Sequence, residues 1–198
     1  MYLDKINYHG KRADGIVKNM LEHSRAGTGT KILTDINKLC EEYINLAYHG
    51  IRSKDSSFTC TIEKHFAKNL PEVNIIPQDI GRVLLNIFNN AFYAVNEKSS
   101  KFKIQSPKLE NEFFPNVSIS TQSLNGSITI SIKDNGNGIP ESIRQKIFEP
   151  FFTTKPTGEG TGLGLSLSYD IVKAHGGEIK IESEESKGTN FIIELHLE

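Results

Sequence analysis

The chain has 198 residues, with 23 Lys+Arg against 24 Asp+Glu for a formal charge of −1, 37% hydrophobic residues and two cysteines. Balanced, scattered charge offers no electrostatic footprint for a nucleic acid or an anionic bilayer, and Cys40 and Cys60 lack the spacing of a zinc or redox site. No stretch approaches the roughly 20 apolar residues of a membrane span, and the N-terminus has no signal-peptide core, so a cytoplasmic chain without direct membrane contact is expected.

In chain order, Leu3, Ile6, Gly10, Ala13, Val17 and Met20 recur every three or four residues, which predicts an amphipathic helix with a bundle-like seam over the first ~24 residues. Two glycines in 25–31 break it and place a domain boundary near 26–31. Thr34 or Asp35 then reads as the N-cap of a second helix ending near Gly50. Beyond residue 51 the beat shortens to two. Phe58-Cys60-Ile62, Val117-Ile119, Ile128-Ile130-Ile132, Ile179-Ile181 and Phe191-Ile193-Leu195 predict five strands. A helix follows Pro77 over Asp79–Asn96, a short one follows Pro140, and another runs from Gly164 to His175 before two glycines. Residues 98–116 are polar, carry two prolines and read as an insertion loop. One-sided alternation implies a mixed five-stranded sheet with about three helices on one face, a two-layer α/β sandwich.

Chemistry concentrates in four segments. Asn86, Asn89 and Asn90 cluster on the 79–96 helix, and Asn86 and Asn90 lie about 40° apart around it, so both amides share a ridge; taken alone, the cluster is equally a solvated polar face. Asp134-Asn-Gly136-Asn-Gly138-Ile139 follows a strand, where glycines allow close backbone approach and the carboxylate can accept from an exocyclic amine such as adenine's; an ordinary Asx turn has the same composition. Gly158, Gly160, Gly162 and Gly164 strip side chains from a helix N-terminus, a seat for phosphate oxygens. Between these last two, Phe148-Glu-Pro-Phe-Phe-Thr153-Thr154-Lys155 reads as a hydrophobic hinge under a lid, with Lys155 either meeting a terminal phosphate or simply exposed.

The order of these segments resembles the N, first-glycine, F and second-glycine boxes of the histidine-kinase ATP-binding domain over about residues 32–198, and Gly188-Thr189-Asn190-Phe191 resembles its closing strand. The resemblance implies the Bergerat fold shared with gyrase, heat-shock-chaperone and mismatch-repair ATPases, with ATP and Mg2+ as ligands. It makes Asn90 the magnesium ligand, Asn86 a catalytic neighbour of the phosphates and Asp134 the adenine contact. Gly136 and Gly138 would line the base pocket, Gly160, Gly162 and Gly164 the phosphate loop, and Ile139, Phe148, Thr153, Thr154, Lys155, Thr161, Leu163 and Thr189 further nucleotide contacts. Many family members carry a basic residue and then an aromatic where this chain has Tyr93-Ala94, so Tyr93 is a candidate to replace the stack near adenine. Residues 1–27 would be the second helix of a dimerisation hairpin, 28–198 the catalytic domain, and 153–161 the ATP lid.

Position 86 separates subfamilies. Hydrolysing relatives place a glutamate four residues before the metal-binding Asn as general base; an amide cannot take that proton at neutral pH, so transfer to a better nucleophile, a partner imidazole, is favoured over water attack. Family acceptors stand in His-Glu or His-Asp contexts, whereas His9, His23, His49, His65, His175 and His196 precede Gly, Ser, Gly, Phe, Gly and Leu. The resemblance therefore implies an acceptor upstream, a homodimer built through the N-terminal helices, and a response-regulator receiver domain as partner. The competing readings are a Bergerat-type ATPase gating a dimer and a nucleotide-binding interaction module without kinase activity.

Overall fold

The structure, a computed structural model, describes residues 29–105, 113–156 and 160–197, together with Gly10. The helix expected over 1–27 otherwise lies outside the described residues. The elements are β1 (Ile32–Thr34), α1 (Ile36–Lys54), β2 (Thr61–His65), β3 (Val73–Ile75), α2 (Pro77–Gln105), β4 (Asn116–Leu124), β5 (Ser127–Asp134), α3 (Gly164–Ala174), β6 (Glu178–Glu184) and β7 (Gly188–His196), with single 3-10 turns at Glu141–Ile143 and Lys146–Phe148.

The main sheet has the order β2-β4-β5-β7-β6, with β2 and β4 parallel and all other neighbours antiparallel. Register stacks isoleucines on one face, pairing Ile119 with Ile132, Ile130 with Ile193 and Ile179 with Ile193. These side chains are buried, and α2 supplies the opposing layer with Ile80, Val83, Leu84, Ile87, Phe88, Ala91, Phe92 and Val95. The period of two on the sheet and of 3.6 on the helices thus meet in one core, giving the two-layer α/β sandwich that the alternation implied.

Several boundaries differ from expectation. The Asp35 carboxylate accepts from the Lys38 N–H at 3.1 Å and caps α1 as predicted, but the helix passes through exposed Gly50 and ends at Lys54. One glycine costs a helix only about 1 kcal/mol, and Ile51 packs on the core beyond it. The strand expected from Phe58 begins at Thr61, where pairing with Asn116 starts. Phe58 instead fills a cluster with Tyr48 and Phe92, at centroid distances of 6.1 and 5.9 Å. A two-stranded sheet of β1 and β3 stands apart from the main one and is too short to leave a periodic signal.

The largest correction concerns the loop expected over 98–116. Residues 98–105 continue α2, and β4 begins at Asn116; 106–112 lie outside the described residues. Both local and long-range contacts hold this last stretch of helix. Lys98 reaches carbonyls of two other turns, Lys101 pairs with Glu97 at 2.9 Å, and the Phe102 ring lies 6.4 Å from Phe113.

Candidate functional site

One cavity of about 490 Å3 opens between α2, the turn after β5, the 3-10 turns, residues 152–155 and 160–162, the start of α3 and β7. Its α2 wall is formed by Asn86, Asn89, Asn90, Tyr93, Ala94 and Glu97, on the side of the helix away from the Ile80–Val95 core. The two amides predicted to share a ridge therefore do so, and the ridge faces a cavity rather than bulk solvent.

At the deep end, β5 delivers Asp134, which is only 4% exposed. Its Oδ1 accepts the Gly136 N–H at 2.8 Å. Burial pushes the carboxyl up to about 6, against the opposing pull of the Gly136 and Thr189 main-chain N–H groups and the Lys98 charge. The turn that follows needs glycine at 138, where φ is +70° and a Cβ would run into the Glu184 carbonyl of the β6–β7 turn. Ser183 Oγ accepts the Ile139 N–H at 2.7 Å and binds Thr189 Oγ1 at 2.9 Å, so both turns are fixed to each other around the carboxylate.

At the other end, Asn86 Nδ2 donates to the Gly164 carbonyl at 3.1 Å and lies 3.4 Å from Ser168 Oγ, tying α2 to the first turn of α3. Asn90 Oδ1 accepts from Lys155 Nζ at 2.8 Å, and the same ammonium sits 4.4 Å from the centroid of the Tyr93 ring. A cation from residues 152–155 thus already rests on the amide oxygen expected to bind a metal, held over an aromatic face. Gly160, Thr161, Gly162 and Gly164 line the wall where α3 begins, and Thr153 and Thr154 complete that rim. The helix N-terminus there presents free main-chain N–H groups and its positive dipole end.

Residues 75–198 match a family model described as histidine kinase-, DNA gyrase B-, and HSP90-like ATPase. The chain belongs to this family. It is 30% identical to the sensor histidine kinase ZraS of Escherichia coli (strain K12) over 186 residues, which is 93% of this chain and 35% of ZraS. The catalytic domain of histidine kinase ThkA superposes with a TM-score of 0.63 at 27% identity, covering 84% of this chain and 95% of that one. Full-length ShkA, solved in complex with AMPPNP, shares the fold with a TM-score of 0.73 at 22% identity over 98% of this chain and 38% of its own.

In this ATPase-family member the cavity gathers Asn86, Asn90, Tyr93, Asp134, Gly138, Ile139, Thr153, Thr154, Lys155, Gly160, Thr161, Gly162, Gly164 and Thr189. Three residues named from sequence stand behind the wall. Gly136 spends its N–H on Asp134 and packs against Ala94, the Phe148 ring lies 5.6 Å from Tyr169 on the core side, and the Leu163 carbonyl accepts from Ser166 Oγ and the Leu167 N–H at the start of α3. Tyr93, the candidate for the stack near adenine, lines the cavity with the Lys155 ammonium 4.4 Å from its ring centroid. Sequence reading missed Glu97 and Asn137, which meet at 2.8 Å on the rim. Extending the Asn86–Asn90 spacing down the helix would have found Glu97; Asn137 lay between the two glycines already singled out.

Proposed function

We propose that this chain is the ATP-binding catalytic part of a two-component sensor histidine kinase, transferring the γ-phosphoryl group of ATP to a histidine imidazole. The observation that carries the proposal is the convergence of Asn86, Asn90, Asp134 and the 160–164 glycines on one cavity. Ionised Asp134 accepts from the exocyclic amine of adenine. The α3 N-terminus and the Gly160–Gly164 backbone donate to phosphate oxygens, and Lys155 adds positive charge beside them. An imidazole nitrogen attacks the γ-phosphorus as its bond to the ADP oxygen breaks, and the imidazole proton is lost from the ring afterwards. Among the described residues no histidine lines the cavity, so the acceptor reaches it from elsewhere, as a helix of a dimerisation hairpin would allow.

The donor set suits magnesium. Asn90 Oδ1 is a neutral hard oxygen on the wall that already attracts an ammonium, and among the described residues no cluster of three or more His, Cys, Asp or Glu forms an all-protein cage. Bound there, the ion neutralises triphosphate charge as transfer proceeds. Asn86 completes the assignment. Its amide joins α2 to α3 and cannot act as a base, which favours an imidazole acceptor over water. The phosphohistidine then serves an aspartate of a receiver domain, and the domain works within a homodimer. Among the described residues no helix is long and apolar enough to cross a membrane.

Calorimetric titration with a magnesium-bound non-hydrolysable ATP analogue tests the site. Asn90→Ala is expected to weaken binding about tenfold with magnesium present and to change metal-free nucleotide binding by less than about twofold. Asp134→Asn is expected to weaken both about tenfold or more. Absence of a binding signal for the unaltered protein overturns the proposal.

A further inference from the structure

Lys98 lies two turns beyond Asn90 on α2 and off the cavity wall, yet it engages more of the site's backbone than any residue so far assigned a role. Its Nζ donates to the carbonyls of Asn135 at 2.8 Å, Gly136 at 3.0 Å and Ser186 at 2.8 Å. An ammonium has three donors, and all three are spent. The same Nζ lies 4.8 Å from the centroid of the Phe113 ring. Two of the carbonyls belong to the turn after β5 and the third to the turn between β6 and β7. The turn after β5 supplies the Gly136 N–H, and the start of β7, which the second turn leads into, supplies the Thr189 N–H; both hold the Asp134 carboxylate.

We propose that Lys98 is a positioning residue for base recognition: by gathering three carbonyls from two turns, its ammonium sets their separation and so places Asp134 at the depth where an adenine amine meets it. The inference rests on the reading of Asp134 as the adenine acceptor. Geometry is what the site asks for. Three carbonyls converging on one point suit a compact tetrahedral ammonium, whereas the planar fork of arginine directs its donors outward. Burial also costs the ammonium, which lowers its pKa, while the Asp134 charge opposes that shift; the clamp and the carboxylate support each other.

The test compares ATP with inosine triphosphate, which replaces the exocyclic amine with a carbonyl and leaves the ribose and phosphates unchanged. Dissociation constants of both, as magnesium complexes, are measured for the unaltered chain, Lys98→Met, Lys98→Arg and Asp134→Asn, with thermal melting as the check on folding. The unaltered chain is expected to prefer ATP by about tenfold or more. Lys98→Met is expected to weaken ATP about tenfold and inosine triphosphate by less than about threefold, so that most of the preference disappears. Lys98→Arg keeps the charge and is expected to recover only part of it. Should Lys98→Met not fold, Lys98→Gln, which retains two donors on an uncharged head, carries the same comparison. Equal weakening of both nucleotides, or unchanged constants, overturns the positioning role. If the unaltered chain and Asp134→Asn show the same small preference, it is the adenine assignment that fails, and that result is read without any Lys98 variant.

Discussion

Asp134 shows at the scale of one residue how this site trades stability for recognition. Folding raises its carboxyl from an ordinary aspartate value of 3.8 to about 6, chiefly by burial. A raised carboxyl binds more protons in the folded state, so its contribution to stability is fully present below about pH 4 and is lost as pH rises through 6. Near pH 7 the ionised group costs the free domain on the order of 3 kcal/mol. Asp134→Asn is therefore expected to raise the thermal midpoint of the nucleotide-free protein at pH 7.5 and to change it little at pH 4.5. Binding runs the other way, because the ionised form is the stronger acceptor for an adenine amine. The groups that face it are Lys98 from α2, whose ammonium burial disfavours while the Asp134 charge supports it, and the Cys60 thiol ahead of β2, pushed up to about 12 by burial and so neutral between pH 5 and 8. The ATP dissociation constant is expected to stay flat above about pH 7 and to rise about tenfold per unit well below pH 6, with the slope absent in Asp134→Asn; calorimetry across that range reads it. Asp134 was legible only through the order of the motifs around it, since an acid at a strand end before two spaced glycines also suits an ordinary Asx turn. Its donors from Thr189 and its neighbour Lys98 were not, since they come from positions tens of residues away that only the folded sheet brings close.

At the scale of elements, legibility followed how much of each element's support is local. The core stripe of α2 and the alternation of β4, β5 and β7 are written in their own residues, and these elements stand where periodicity put them. The end of α2 is different. Composition over 98–105 is that of a loop, and besides the local Lys101–Glu97 pair its helicity is supported by Phe113 and by backbone carbonyls of other turns. A second long-range tie of this kind joins α3 to the start of α2. His175 accepts the Ile76 N–H on Nε2 at 3.1 Å while Nδ1 donates to the Ile171 carbonyl at 2.8 Å, which assigns the proton to Nδ1. Ile76 is buried, so removing the ring leaves its N–H without an acceptor. His175→Ala is expected to cost about 1–3 kcal/mol in denaturant unfolding. Nucleotide affinity at saturating stability should change less than about twofold, because the ring is not on the cavity wall. Loss of affinity in proportion to stability would show instead that the α2–α3 junction, through Asn86 and Gly164, transmits strain to the phosphate end.

On the scale of the whole molecule, the fold brings four distant segments of one chain to a single cleft, and among the described residues no histidine lines it. The N-rich helix, the DxGxG turn, the lid and the glycine-rich helix start are each ambiguous alone, and their order along the chain made the family recognisable before any geometry was available. Order does not reveal an acceptor. His49, His65, His175 and His196 are all described, none lines the cavity, and His175 is committed to holding Ile76 and Ile171. If the proposed function holds and the acceptor lies outside this chain, the chain should bind nucleotide and yet leave its terminal phosphate in place, since the amide at position 86 gives water no base. Incubated with γ-labelled ATP and magnesium, the 198-residue chain is expected to show thermal stabilisation of about 3 kcal/mol at a hundredfold excess over the dissociation constant, with no acid-labile phosphoprotein and phosphate release close to the uncatalysed rate. Adding a separate dimerising helical hairpin that carries a His-Glu or His-Asp acceptor from a related kinase should yield acid-labile label on the hairpin, and Asn90→Ala should abolish it. Strong labelling of the chain alone would place the acceptor within it, at His9 or His23 ahead of β1. Steady phosphate release without any phosphoprotein would return the molecule to the hydrolysing branch of its family, despite the amide at position 86.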